Sequence, residues 1–153
     1  MLVKVEVVGV RIEMPSNQPI VLLKEIDGTR FLPIWVGAVE ATSIAFAQQG
    51  LEAQRPLTHD LIKDLLDRVD ITLTSVHITE IKDGVFYADL LLRNSEGALE
   101  PLSVRPSDAI AVALRTKSNI MVNSDLLDEV GIDIPEQVAS EASAAGDQEL
   151  EAF

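Results

Sequence analysis

Valines at positions 3, 5 and 7 alternate with Lys4 and Glu6, and this period of two predicts a strand over residues 3–13. The apolar run 20–23, the pair Asp27-Gly28 and the run 31–36 predict a hairpin turned at Asp-Gly and ended by Gly37. From 38 to 49 the apolar positions fall at helical spacing, with Gly50 as the C-terminal stop. A second helix follows Thr58, with Leu61, Ile62, Leu65, Leu66 and Val69 on one face. Residues 71–82 are rich in β-formers. Lys82-Asp83-Gly84 turns the chain into 85–93, and Asn94 to Gly97 turns it again into 98–104. A third helix runs from about Ser107 to Lys117, residues 120–122 form a short strand, and Ser124 caps a last helix ending at Gly131. Trp35, Phe31 and Phe46 read as core.

Hairpins and meanders alternate with helices here, with no regular strand-helix-strand repeat. The expected class is α+β: a mostly antiparallel sheet of hairpins and meander packed with three to four helices. One domain, residues 1–135, fits the length of 153 residues, and Pro135 closes it. The segment 136–153 (ending VASEASAAGDQELEAF) carries five acids and no Lys or Arg, and reads as a disordered, solubilising tail.

Charge narrows the function. Twelve Lys and Arg against 25 Asp and Glu give a net charge of −13, which argues against a protein held to nucleic acid mainly by a broad basic surface. Carboxylate-held Mg²⁺ or Mn²⁺ stays open. With no cysteine there is no disulfide, thiolate zinc site or thiol nucleophile. The start of the chain, MLVKVEVVGV, is a strand pattern and not a secretory core, and no apolar run approaches a membrane span. A cytoplasmic protein is expected.

Two helix starts carry similar chemistry. Arg55-Pro56-Leu57-Thr58-His59-Asp60 and Arg105-Pro106-Ser107-Asp108 each bring an arginine, a hydroxyl and an aspartate to a first turn. Two readings stand. Thr58 and Ser107 are caps, and the aspartates complement the helix dipole. Alternatively, Arg55 and Arg105 bind phosphate beside free N–H groups, and His59 with Asp60 moves a proton or holds a metal. Two such starts meeting in one cleft would make a site fit for phosphodiester chemistry. Glu40 is a further carboxylate: a metal ligand, a partner of Arg55 or Arg105, or a surface residue that complements the helix dipole. His77 lacks an acidic neighbour and reads as structural. Asp64, Asp67 and Asp70 read as a solvated face. A Ser107-His59-Asp108 triad has no nucleophile-elbow motif behind it.

In their order, Leu32-Pro33-Ile34-Trp35-Val36-Gly37 with Glu40-Ala41, Arg55 to Leu61, Asp83 to Ala88, and Arg105 to Ala111 resemble the bifunctional nuclease (BFN domain) family. The resemblance covers roughly residues 1–135. It implies a homodimeric α+β domain that cuts both DNA and RNA. Carried over by position, its candidate residues are Glu40, Arg55, His59, Asp60, Arg105 and Asp108. The roles follow from chemistry: Asp60, Asp108 and Glu40 hold Mg²⁺ or Mn²⁺, Arg55 and Arg105 clamp phosphate with Thr58 and Ser107 nearby, and His59 is general acid or base. Ser103 departs from the family pattern, which often has an aspartate there. The alternative function is a non-catalytic regulatory module that binds an anion or a partner at the same helix starts.

Overall fold

The structure, a computed structural model, describes residues 1–133. The expected boundary at Pro135 and the acidic segment 136–153 lie outside the described residues. Among the described residues, nine strands form one sheet. The chain lays down β1 (Leu2–Glu13), β2 (Gln18–Glu25) and β3 (Arg30–Trp35), then helices α1 (Ala38–Gln48) and α2 (Thr58–Arg68). After these come β4 (Thr72–Lys82), β5 (Val85–Asn94), β6 (Gly97–Ala98), β7 (Leu102–Val104) and α3 (Pro106–Thr116). The described chain ends with β8 (Asn119–Asn123), α4 (Ser124–Val130) and β9 (Ile132–Asp133). The sheet order is β6-β5-β4-β8-β1-β2-β3-β9, with β7 also paired to β5. The class is α+β. Pairing is antiparallel except between β4 and β8, which are joined by a crossover through α3.

Local chemistry explains most of the boundaries. Asp83 and Gly84 both adopt positive φ, the mirror-image turn that matches strand twist, so Lys82 pairs with Val85 across a two-residue loop. The segment expected as one strand over 98–104 is two, β6 and β7, because Pro101 lies between them and cannot donate to the ladder. The caps also differ from expectation. Thr58 and Ser124 are already helical, Asn123 Oδ1 accepts from the Asp125 N–H at 3.1 Å, and α3 opens with Pro106 as its first residue.

The main core gathers Val10, Val21, Leu23, Leu32 and Ile34 from the strands with Ile44, Ile110, Val112 and Leu127 from the helices. Helix α3 packs against both α1 and α2, and its small residues Ala109, Ala111 and Ala113 are fully buried, which permits close approach on more than one side. Only Ile62 and Leu66 of the α2 stripe pack on this core, whereas Leu61, Leu65 and Val69 stay exposed. Alternation along β3 puts Leu32 and Ile34 in the main core and Phe31 on the opposite face, beside Leu22 and Val8. Trp35 shares that second face at the strand's end. It is therefore 52% exposed and not core, and Phe46 is half-buried. Among the described residues, no helix is long and apolar enough to cross a membrane.

Candidate functional site

The starts of α1, α2 and α3 meet around one guanidinium. Arg105, the residue before α3, donates from Nε to Asp108 Oδ2 at 3.0 Å and from Nη2 to Asp108 Oδ1 at 3.3 Å. Nη2 also donates to Glu40 Oε1, in the first turn of α1, at 3.1 Å. The side chain of Arg105 is 67% exposed, and Nη1 makes no hydrogen bond among the described residues. An N–H donor is thus left for a ligand.

His59 lies behind this pair. Its Nε2 is 2.8 Å from Asp108 Oδ1 and its Nδ1 is 2.7 Å from Ser43 Oγ of α1. An ionised carboxylate only accepts, so Nε2 carries the proton and donates to Asp108. Ser43, His59 and Asp108 form a serine-histidine-aspartate chain, but Ser43 and His59 are both buried. A serine sealed from solvent is no nucleophile; this chain fixes the aspartate. Burial raises the Asp108 carboxyl, but the hydrogen bonds and charges of His59 and Arg105 outweigh it, so its pKa lies below the ordinary value.

Asp60 belongs to a different constellation. Its Oδ2 accepts the Leu57 N–H at 2.8 Å, and its Oδ1 accepts from Arg115 Nε at 2.6 Å. Arg115, near the end of α3, also donates to the carbonyls of Ala111 at 2.9 Å and Ser43 at 3.1 Å. Burial again raises the carboxyl of Asp60, and the Leu57 and Arg115 bonds bring it below the usual range. Asp60 therefore locks α2 to α3 and α1.

Of the residues expected at the site, Glu40, His59, Arg105 and Asp108 come together. Arg55 and Thr58 are exposed, without a side-chain partner among the described residues. Ser107 is 7% exposed, lies in the first turn of α3, and caps nothing: its hydroxyl has no hydrogen bond among the described residues. Sequence reading missed Ser43 and Arg115, because a helical serine and a helical arginine carry no motif of their own. His77, read from sequence as structural, is half-buried on β4 opposite Asp89 of β5; burial lowers its pKa, the Asp89 charge offsets part of that, and Nε2 lies 3.1 Å from Ser75 Oγ.

The donors can be compared with what a divalent ion needs. Among the described residues, no group of three or more His, Asp or Glu is placed to hold one. Glu40 and Asp108 both bind Arg105, His59 is committed at both nitrogens, and Asp60 faces Arg115. As arranged, these residues do not fit a Mg²⁺ or Mn²⁺ ion, which prefers several free oxygen ligands.

A cleft of about 300 Å³ adjoins Arg105, walled by the end of β3, the tip of the β4–β5 hairpin and the start of α3. Those strands lie far apart in the sheet order, and the cleft shows where their ends approach.

Comparison with known proteins agrees with this arrangement of motifs. A family model described as the bifunctional nuclease domain matches residues 21–135. An uncharacterized protein of Mycobacterium tuberculosis is 46% identical over 152 residues, 98% of this chain and 90% of that one. Bifunctional nuclease 1 of Arabidopsis thaliana is 32% identical over 114 residues, 72% of this chain. Bifunctional nuclease 1 of Oryza sativa subsp. japonica is 29% identical over 131 residues, 84% of this chain. The matched region spans only 35% and 40% of those two plant proteins. By the extent of the family match, the chain belongs to the bifunctional nuclease domain family.

Proposed function

We propose that the protein hydrolyses phosphodiester bonds in DNA and RNA at the start of α3. What supports this is one exposed guanidinium, Arg105, shared by Glu40 and Asp108 beside the free N–H groups of a helix N-terminus, in a chain of a nuclease family. Arg105 Nη1 and the first-turn amides bind the non-bridging oxygens of the phosphate. They strengthen as charge develops there in the transition state. Glu40 has an uncommitted Oε2 and takes a proton from the attacking water. The water oxygen bonds to phosphorus, the P–O ester bond breaks, and the leaving oxygen takes a proton from solvent while Glu40 releases its own to solvent, giving a phosphate monoester and a hydroxyl. Asp108 holds Arg105 in place. His59, with Ser43 behind it, is a positioning residue for Asp108. Arg55 and Thr58, on the exposed start of α2, contact the strand beyond the scissile phosphate.

Metal assistance by Mg²⁺ or Mn²⁺ belongs to this reading only if an ion displaces Arg105 from its carboxylates, and no step above depends on one. A homodimer and a cytoplasmic location complete the proposal; the exposed Leu61, Leu65 and Val69 supply apolar area for self-association. The test is cleavage of labelled single-stranded DNA and RNA by purified protein, with and without chelator, beside Arg105→Ala. Turnover that survives chelator and falls about 100-fold in the variant supports the arginine-centred site. Turnover that stops with chelator and returns with Mn²⁺ reinstates the metal.

The net charge of −13 favours a second reading, an anion- or partner-binding module, because repulsion slows encounter with a polyanion. Salt-sensitive binding without cleavage under any condition would establish it.

A further inference from the structure

The cleft beside Arg105 differs at its two ends. On the side formed by the start of α3 are polar groups suited to a phosphate: Arg105 with its free Nη1 and Ser107 with its amide and hydroxyl, the Asp108 amide following in the same turn. Pro106 has no N–H, and the Ala109 N–H bonds the Arg105 carbonyl at 3.1 Å, so Ser107 and Asp108 carry the free amides of this turn. Ser107 is a buried residue that lines the cleft, and its hydroxyl has no protein partner among the described residues and is open to a ligand.

At the other end the lining is apolar: Trp35, Val85 and Phe86, with Gly84 at the hairpin tip. Trp35 is half-exposed, yet its ring is held, because Nε1 donates to Glu13 Oε2 at 2.9 Å. An indole held by its edge, half-exposed and lining the cleft offers a surface on which a base can stack. The cleft volume lies at the small end of the range for ligand sites, suited to one nucleotide unit.

We propose that this cleft binds one nucleotide of a single strand, its base stacked on Trp35 and its phosphate on Arg105 and Ser107, which makes single-stranded nucleic acid the substrate class. The inference rests on the proposed phosphodiesterase reading and extends it. A base inside a duplex is already stacked on its neighbours and reaches Trp35 only by being flipped out, at an energetic cost that an unpaired strand avoids. Stacking reads the face of a base and no groove edge, so the site takes every base. With no group assigned to the 2′-hydroxyl, DNA and RNA are bound alike.

Trp35 is the only tryptophan in the chain, so its fluorescence reports the cleft directly. The experiment titrates the full-length protein with short oligothymidylate, oligouridylate, a duplex and an abasic strand of equal charge. Affinities of Trp35→Ala and Trp35→Phe are read by anisotropy of labelled strands, with circular dichroism as the folding check. The expected result is saturable quenching by both single strands and little by the duplex or the abasic strand. Trp35→Ala should bind about tenfold more weakly, and Trp35→Phe close to wild type. Duplex binding as tight as single-strand binding overturns the inference, as does wild-type affinity in Trp35→Ala. If the protein still cleaves strands in either case, the phosphodiesterase reading survives alone. If it neither binds nor cleaves any strand, both fall.

Discussion

Asp60 is the residue on which sequence motif and geometry diverge most, and its removal separates a structural from a catalytic role. The substitution Asp60→Ala takes away the carboxylate that accepts the Leu57 N–H and the Arg115 Nε–H. A charge-assisted hydrogen bond is worth roughly 1.5–3 kcal/mol, and a lost helix cap about 1 kcal/mol. Arg115 is only 7% exposed on its side chain and keeps two carbonyl acceptors, but loses its counter-charge. The carboxylate itself is 34% exposed, so water screens part of the pair and the cost stays near the low end for breaking a buried pair, about 3 kcal/mol. With an m-value of about 2 kcal/mol/M, urea denaturation followed by circular dichroism should show a midpoint lower by about 1.5 M. Asp60→Asn keeps an acceptor and should lose about half as much. Adding Arg115→Met to Asp60→Ala should recover part of the loss, since no charge is then left unpaired. Below its melting range, folded Asp60→Ala should still cleave, because Asp60 is not among the groups around Arg105. A variant as stable as wild type but devoid of cleavage would refute this and return Asp60 to the catalytic set.

Other consequences follow from the same geometry. Asp60 and Asp108 have native pKa values below those of the unfolded chain. Their contribution to stability is therefore complete above about pH 4 and lost as pH falls through the lowered native values. Acid unfolding of Asp60→Asn and Asp108→Asn should accordingly show a shallower acid limb than wild type. Gly37 lies just before α1, and a Cβ there would sit 2.4 Å from Glu40 Oε2. Gly37→Ala should push the flexible Glu40 side chain off Arg105 and slow cleavage, with melting temperature nearly unchanged. Analytical ultracentrifugation should show a dimer, and Leu65→Glu, on the exposed α2 stripe, should shift it toward monomer if that stripe forms the contact.

Much of the fold was legible because period and punctuation agreed. Alternation marked β1, Asp83-Gly84 fixed the β4–β5 turn, and proline with a polar first turn marked the starts of α2 and α3. The parallel β4–β8 pairing was not legible, since strand direction in a sheet depends on where α3 carries the chain. Trp35 was misplaced because an aromatic on a strand is usually interior, and only the register of β3 shows that it shares the second face. In the site, the pairing of His59 with Asp108 brings the two helix starts into contact, but Arg55 and Thr58 stay exposed and the cleft beside Arg105 is lined by the start of α3 and not of α2. The local spacing of His59 and Asp60 hid the fact that adjacent residues on a helix point about 100° apart, one toward Asp108 and the other toward Arg115. The clamp on Arg105 by Glu40, 65 residues earlier, depends on α1 packing against α3.

Amide chemical-shift mapping during titration with thymidine 5′-phosphate reads most directly where phosphate sits. The expected result is that the Ser107 and Asp108 backbone N–H signals and the Trp35 indole signal move together and saturate at one affinity. Shifts confined to the start of α2 around Arg55 and Thr58, or none at saturating nucleotide, would contradict a phosphate site at the start of α3.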